Sequence, residues 1–297
     1  MIKDFHTYIN EGLFDRNQSE FAIKKTNKGV EQIYVPKTKN ELYKYIELDI
    51  EQAKKDGTYP NVNLNNIDVS ELGDDDLKGL FGDIYKQIIP VISNWNINKL
   101  PDNFLINNEQ IKEFTIPNSV TSIGECVFYN CKCLTSIEIP NSVTTIGYGA
   151  FSHCSNLKSI EITNGVSCIR SSAFSKCTGL TSVTIGNSVT IIGLSAFSGC
   201  SSLTSIEIPD SVTDIGNYSF FGCGKLTSVT ITNSVSIIGS GAFCGCSGLT
   251  SIIIPNSVTH IEWQTFSGCN SLTSVTISKH CNVEKNSFPK DCKIIRK

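Results

Sequence analysis

The sequence predicts a repeat solenoid, a β-rich stack of short coils preceded by a small α+β cap. Three observations predict it. From Ile116 the chain repeats every 23 residues without insertion or deletion, with copies opening at Ile116, Ile139, Ile162, Ile185, Ile208, Ile231 and Ile254. Charged residues are uneven, with 33 in residues 1–115, 12 in 116–276 and 8 in 277–297. Eight of the 13 cysteines recur at a single repeat offset. With 297 residues, 40% of them hydrophobic, the chain can bury a core.

The N-terminal region, residues 1–63, reads as the cap. Ile2, Phe5, Ile9 and Leu13 are at helical spacing. Two β-like runs, Phe21–Thr26 and Val30–Val35, flank Asn27-Lys28-Gly29, which is a hairpin signal. Thr38 and Glu41 form a capping box that opens a helix running to about Lys55, with Gly57 as its stop. A solenoid end exposes an apolar face, and a cap covers it.

The solenoid is expected to span 64–297. Residues 64–115 read as degenerate coils. Leu64, Ile67 and Val69 have the spacing of a repeat strand, echoed 28 residues later by Ile92, Trp95 and Ile97. Asp74-Asp75-Asp76 reads as a solvated helix start, because the ordered ligand spacing of a calcium loop is missing. Regular repeats fill 116–276, and a degenerate one begins at Ile277.

Within one repeat, Ile139, Val143, Ile146, Phe151, Cys154, Leu157 and Ile160 mark the fixed apolar offsets. One coil cannot bury them alone, but a stack buries them against neighbours on both sides. Leu157, Ile160 and Ile162 alternate around Glu161 as in a half-buried strand. Asn118, Asn141, Asn164, Asn187, Asp210, Asn233 and Asn256 supply turn chemistry. A short V-T-x-I segment follows, then Gly in five of seven copies, then an A-F-x-x-C segment expected to form one helical or 3₁₀ turn. At ~4.8 Å per strand, eight coils would span ~35–40 Å.

The consensus I-P-N-S-V-T-x-I-G-x-x-A-F-x-x-C-x-x-L-T-S-I resembles the 23-residue leucine-rich repeat of BspA-like bacterial proteins. The degenerate coils resemble the W-x-V-S…M-F repeats that accompany that type, with Leu or Asn where the family has Met. The resemblance implies a leucine-rich-repeat solenoid, exposed at the cell surface and adhesive, with host matrix proteins bound by some members of the family.

Cys131, Cys154, Cys177, Cys200, Cys223, Cys246, Cys269 and Cys292 share the recurring offset and are expected to stack as buried free thiols. Cys126, Cys133, Cys168, Cys244 and Cys281 fall elsewhere and are expected nearer the surface. So many free thiols suit a reducing compartment.

For function, exclusions come first. A net charge of −3 argues against nucleic acid. No run of 18 apolar residues argues for membrane insertion, and the start of the chain lacks an apolar signal region, so a cytoplasmic location is expected. The histidines, His6, His153, His260 and His280, occupy different offsets, and no hydrolase, zincin or phosphate-loop motif is present. No catalytic residue, cofactor or metal is therefore expected, and the chain is expected to be a monomer.

Two candidate binding surfaces remain. The outward strand offsets place Ser136, Ser159, Ser182 and Ser205 in one column, with Glu138, Glu161 and Glu207 in the next. The turns carry Tyr148, Tyr218 and Trp263. Either could serve a protein- or glycan-binding module. The competing readings are a structural spacer carrying a functional N-terminal region, and an intracellular or phage-borne interaction protein. A contiguous aromatic patch would favour binding over a spacer.

Overall fold

A computed structural model describes residues 97–297 continuously and, before them, 21–26, 29–34, 46, 55–57, 61–63 and 89–92. Contacts divide the chain into two units, Met1–Ile97 and Asn98–Lys297.

In the first unit, Phe21–Thr26 and Gly29–Tyr34 pair antiparallel, with Thr26 opposite Gly29, so the predicted hairpin forms. Asn61–Asn63 and Ile89–Val91 pair in parallel, Asn61 against Ile89. That offset is the 28-residue echo noticed in the sequence. Ile46 is helical and fully buried, as the capping-box helix requires. The expected helix over residues 1–15 and the expected start of the solenoid at Leu64 lie outside the described residues.

The second unit is a parallel β-solenoid. Each coil contributes one longer and one shorter strand. The longer strands are Glu113–Thr115, Ser136–Glu138, Ser159–Ile162, Ser182–Ile185, Ser205–Glu207, Ser228–Thr230, Ser251–Ile253, Ser274–Ile277 and Lys293–Arg296. The shorter strands begin with Lys99–Leu100 and recur at the V-T-x-I segment of each repeat, ending with Asn282–Val283. Pairing holds a register of 23, as in Ser159↔Ser182 and Ile169↔Ile192. The last coil is shorter, and Lys293 pairs with Ser274.

Two devices join the coils. One is apolar. Phe128, Phe151, Phe174, Phe197, Phe220, Phe243, Phe266 and Phe288 form a continuous stack, with centroids 5.0–5.4 Å apart and planes within 8°. This offset parallel geometry is favourable for aromatic pairs and repeats at close to the strand spacing. The other is polar. Thr135, Thr181 and Thr227 donate from Oγ1 to the carbonyls of Lys112, Lys158 and Thr204, which also receive the backbone N–H of the same threonine. A second such column runs from Thr121 through Thr144 beside the shorter strands.

The turn carrying A-F-x-x-C differs from expectation. Among the described residues of this unit no helix forms there. Bonds of the i to i−3 kind close successive turns, as from Cys154 N–H to the Phe151 carbonyl, while left-handed residues prevent the helix from continuing. These residues fill two columns. One includes Cys126, Ser172, Ser195 and Tyr218, and the other includes Asn130, His153 and Lys176, with φ between 53° and 64°. The freed N–H groups turn along the stack instead. That of Phe174, for example, donates to the Ala196 carbonyl at 2.8 Å.

Phe174 is fully buried within the stack, so Phe174→Ala should cost ~3–5 kcal/mol. Thr181→Ala should cost under ~1 kcal/mol, since one exposed hydroxyl bond is lost. Ser219 occupies the column that holds Ala173, Ala196 and Ala242, and its buried hydroxyl has no partner. Ser219→Ala should therefore raise stability by about 1 kcal/mol in urea unfolding.

Candidate functional site

The longer strands alternate as the sequence predicts. Ser159 and Glu161 face solvent while Ile160 and Ile162 are buried, and the same pattern repeats through Ser205, Ile206 and Glu207. Ser136, Glu138 and Ser182 are exposed as well. Parallel pairing stacks Ser159 on Ser182, and Glu161 on Thr184, so the columns are real surfaces.

Of these candidates Glu161 and Glu207 border a groove of 920 Å³, whereas Glu138 and the serines Ser136, Ser159, Ser182 and Ser205 do not line it. Glu161, Thr184 and Glu207 line one side of it. Asn141, Asn164, Asn187 and Asp210, one from each of four successive turns, line the other. Asn164 braces this wall by accepting the Asn187 N–H through Oδ1 at 2.7 Å. Ile162, Ile185 and Ile208 also border it, but their side chains are buried. Carboxylates, amides and hydroxyls suit a polar or cationic extended ligand. Sequence reading assigned the Asn/Asp column to turns and missed its part in the groove. The regular spacing of those side chains beside the strand columns was the available signal.

The aromatic candidates do not converge. Tyr148 is 50% exposed and Trp263 45%, but three coils separate Tyr148 from Tyr218, and two separate Tyr218 from Trp263. At ~4.8 Å per coil those gaps are about 14 and about 10 Å. Tyr218 is only half-exposed. Its ring covers Gly241, where an added Cβ would lie 2.5 Å from Cε1, and its edge meets Phe221 at 6.1 Å. The turn edge thus carries these aromatics separately and not as the contiguous patch expected of a binding module, which counts towards the spacer reading; the strand face is the surface that is continuous.

The cysteine column forms, but with seven members rather than eight. Cys131, Cys154, Cys177, Cys200, Cys223, Cys246 and Cys269 are fully buried. Each thiol donates to a carbonyl of the preceding coil at 3.0–3.3 Å, the Phe151 carbonyl in the case of Cys177. The short last coil brings Cys292 beside Thr273, where it is half-buried. Cys281, expected near the surface, is 3% exposed. At the other end Asn108 holds the same offset, and its Oδ1 accepts the N–H groups of Gln110 and Ile111. Burial pushes the thiols of Cys131, Cys177 and Cys223 up to about 12 and raises those of Cys154 and Cys200 as well, so these five keep their protons at neutral pH.

Among the described residues one serine–histidine contact is present, Ser152 Oγ to His153 Nδ1 at 2.9 Å. Ser152 is 4% exposed, and the imidazole leans on Tyr129 at 5.1 Å. The hydroxyl is not presented to a substrate. Sequence reading also missed a grouping on the shorter-strand face. His260, Glu262 and Glu284 bring their ligand atoms within 4.8 Å of one another. The available signal was Glu262 at the offset that holds Gly in five of the seven repeats; Glu284 falls one residue short of that offset by count and comes beside Glu262 only through the shortened register of the last coil.

A family model for the BspA type leucine rich repeat region matches in six copies, over residues 98–224 and 168–296. Among solved structures, a leucine-rich repeat protein from Bacteroides ovatus is 30% identical with a TM-score of 0.64; the match covers 70% of this chain and 55% of that one. A leucine rich repeat protein from T. pallidum is 29% identical over 56% of this chain and 72% of that one, with a TM-score of 0.43. A leucine rich cell surface protein from Faecalibacterium prausnitzii is 22% identical over 67% of this chain and 83% of that one, with a TM-score of 0.31. No curated protein matches the chain.

The thiol column sets a pH dependence. Folded thiols near 12 keep their protons where unfolded thiols near 9 lose them, so stability present below pH 9 should fall as pH rises from 9 towards 12. Urea midpoints measured between pH 7 and 11 check this. At pH 8 the seven buried cysteines should resist iodoacetamide in native protein and react after denaturation.

Proposed function

From the premise that the chain belongs to the BspA-type leucine-rich repeat family, we propose that it is a non-enzymatic binding module that holds a protein or glycan partner across several coils of its longer-strand face. The groove carries this reading. Its two walls are built from repeated columns, Glu161, Thr184 and Glu207 on one side and Asn141 to Asp210 on the other, so one ligand meets the same chemistry at each coil. Every contact is modest, and several together give useful affinity. Repetition makes extended surfaces readily, whereas a catalytic nucleophile needs its own base held at one place. The Ser152 hydroxyl is buried, and the thiols of Cys177 and Cys223 are held protonated.

The partner chemistry follows from the lining. Two glutamates and one aspartate favour cationic groups on a peptide, and the amide and hydroxyl columns suit the hydroxyl groups of a glycan.

Deletions that keep the 23-residue register test the assignment. Removing residues 162–207 takes out two whole units and most of the groove, and joins Glu161 to Ile208 in register. Removing 231–276 also takes two units but leaves the groove residues in place, apart from Thr232. On arrays of immobilised glycans and proteins, the first deletion should abolish capture and the second should retain it. The double substitution Glu161→Lys with Glu207→Lys should weaken capture at least about tenfold. If both deletions bind like the full chain and removal of residues 1–63 abolishes binding, the solenoid is a spacer and this reading is wrong.

A further inference from the structure

The shorter-strand face changes at one end. One column reads Gly124, Gly147, Arg170, Gly193, Gly216, Gly239 and Glu262, and strand pairing adds Glu284 in the shortened last coil. The glycines are set by close approach of successive coils. An added Cβ would lie 2.7 Å from the Ile169 carbonyl oxygen at Gly193, and 2.8 Å from that of Ile192 at Gly216. The ladder registers the change at Glu262. Seven shorter strands pair without interruption from Lys99–Leu100 to Ile237–Ile238, and then His260–Ile261 and Asn282–Val283 form a separate pair. Two glutamates therefore stand side by side in adjacent coils, at a column position held by Gly in five of the six other regular repeats and by Arg170 in the sixth. Like charges in adjacent strands oppose each other.

A histidine faces them. His260 and Glu262 lie two apart on one strand and flank buried Ile261, so both point to the solvent side. His260 Nε2 lies 3.2 Å from Glu284 Oε1. The ligand atoms of all three residues fall within 4.8 Å of one another. In a tetrahedral site with bonds of ~2.0–2.1 Å, neighbouring ligand atoms are about 3.3 Å apart. The histidine–glutamate pair already has that spacing, and Glu262 is close enough to complete it by side-chain rotation.

The backbone beneath the trio is also specialised. In the column that holds Ala in four other coils, these two coils carry Thr265 and Ser287. The Thr265 hydroxyl donates to the Glu262 carbonyl at 2.8 Å. The Ser287 hydroxyl reaches the carbonyls of both Glu262 and Glu284, at 2.9 and 2.6 Å. The two glutamate positions are thus tied to each other through one buried serine. A site on strands with pinned backbone holds its ligands better than one on free loops.

We propose that His260, Glu262 and Glu284 form a three-ligand site for a divalent first-row transition metal of the zinc class, open to solvent at the remaining coordination positions. One imidazole with two carboxylates matches that class. Calcium and magnesium prefer all-oxygen shells. The net charge of the trio with neutral imidazole is −2, which a dication balances. The open positions would let the metal bridge to a carboxylate, imidazole or water from outside the chain.

The test is titration of the full chain with zinc chloride at pH 7.5 by calorimetry, after the accessible thiols are capped with N-ethylmaleimide. One equivalent should bind and raise the melting temperature. His260→Asn, Glu262→Gln and Glu284→Gln should each weaken binding at least about tenfold while leaving the far-ultraviolet circular dichroism spectrum unchanged. Without zinc, Glu284→Gln should melt at the same temperature or higher, because it removes a like charge. Cobalt(II) should give weak visible bands without a thiolate charge-transfer band. The site is refuted if the substitutions leave zinc affinity unchanged, if no stoichiometric binding occurs, if calcium binds as tightly as zinc, or if the cobalt spectrum shows thiolate ligation.

Discussion

The constraint on which this structure depends is the register of 23 between successive coils. A coil has too little apolar surface to fold by itself, so its stability comes from the layers above and below. Register makes those layers match. It sets Phe151 on Phe174 with planes 1° apart, points Cys177 at the Phe151 carbonyl, and lets Thr181 place its hydroxyl and its N–H on one acceptor. A slip of one residue would turn every inward side chain outward along the strands. Aromatic, thiol and hydroxyl columns thus fail together, which is why the repeat tolerates so little insertion.

Most of this was legible because a repeat states each rule many times. Ser159, Ile160 and Glu161 alternate as the pattern requires, and the hairpin at Phe21–Tyr34 follows from local turn chemistry. The A-F-x-x-C turn was less legible. One left-handed column carried a readable signal, with Asn130, Gly199, Gly222, Gly245 and Gly268 among its members, but the other is filled largely by Cys126, Ser172, Ser195 and Tyr218, residues that carry no signal for positive φ. Their conformation is imposed by hydrogen bonds from the adjacent coil, and propensity cannot report it. Cys292 shows the same limit, since counting 23 from Cys269 assumes a full coil where the chain makes a shorter one.

The binding groove was legible in part. Alternation put Glu161 and Glu207 outside, but the opposite wall comes from turn residues whose role as turns seemed sufficient explanation. The aromatic turns illustrate the converse. Tyr148, Tyr218 and Trp263 looked like one surface in a list of residues, and the stack separates them by whole coils. In a solenoid, nearness is measured first in coils and then in offset. Residues at one offset in adjacent coils are neighbours, whereas residues of one chemical type are neighbours only by accident.

This has a consequence for where singular chemistry arises in a repeat protein. Any feature present in every coil answers first to stacking, as the threonine hydroxyls do when they bond the coil before them. Chemistry that is not structural must then appear where a column is broken. Breaks have structural causes too, and Tyr218 replaces a small residue while resting on Gly241 in the next coil. A break is more informative when several columns change in the same coils and converge. At Glu262 and Glu284 the glycine column ends, the alanine column becomes Thr265 and Ser287, and the shorter-strand ladder divides. The three changes concern one patch and hold the same two carbonyls. Each change alone has a packing consequence, but together they place two carboxylates and an imidazole side by side over a backbone fixed by two hydroxyls, which stacking by itself does not require.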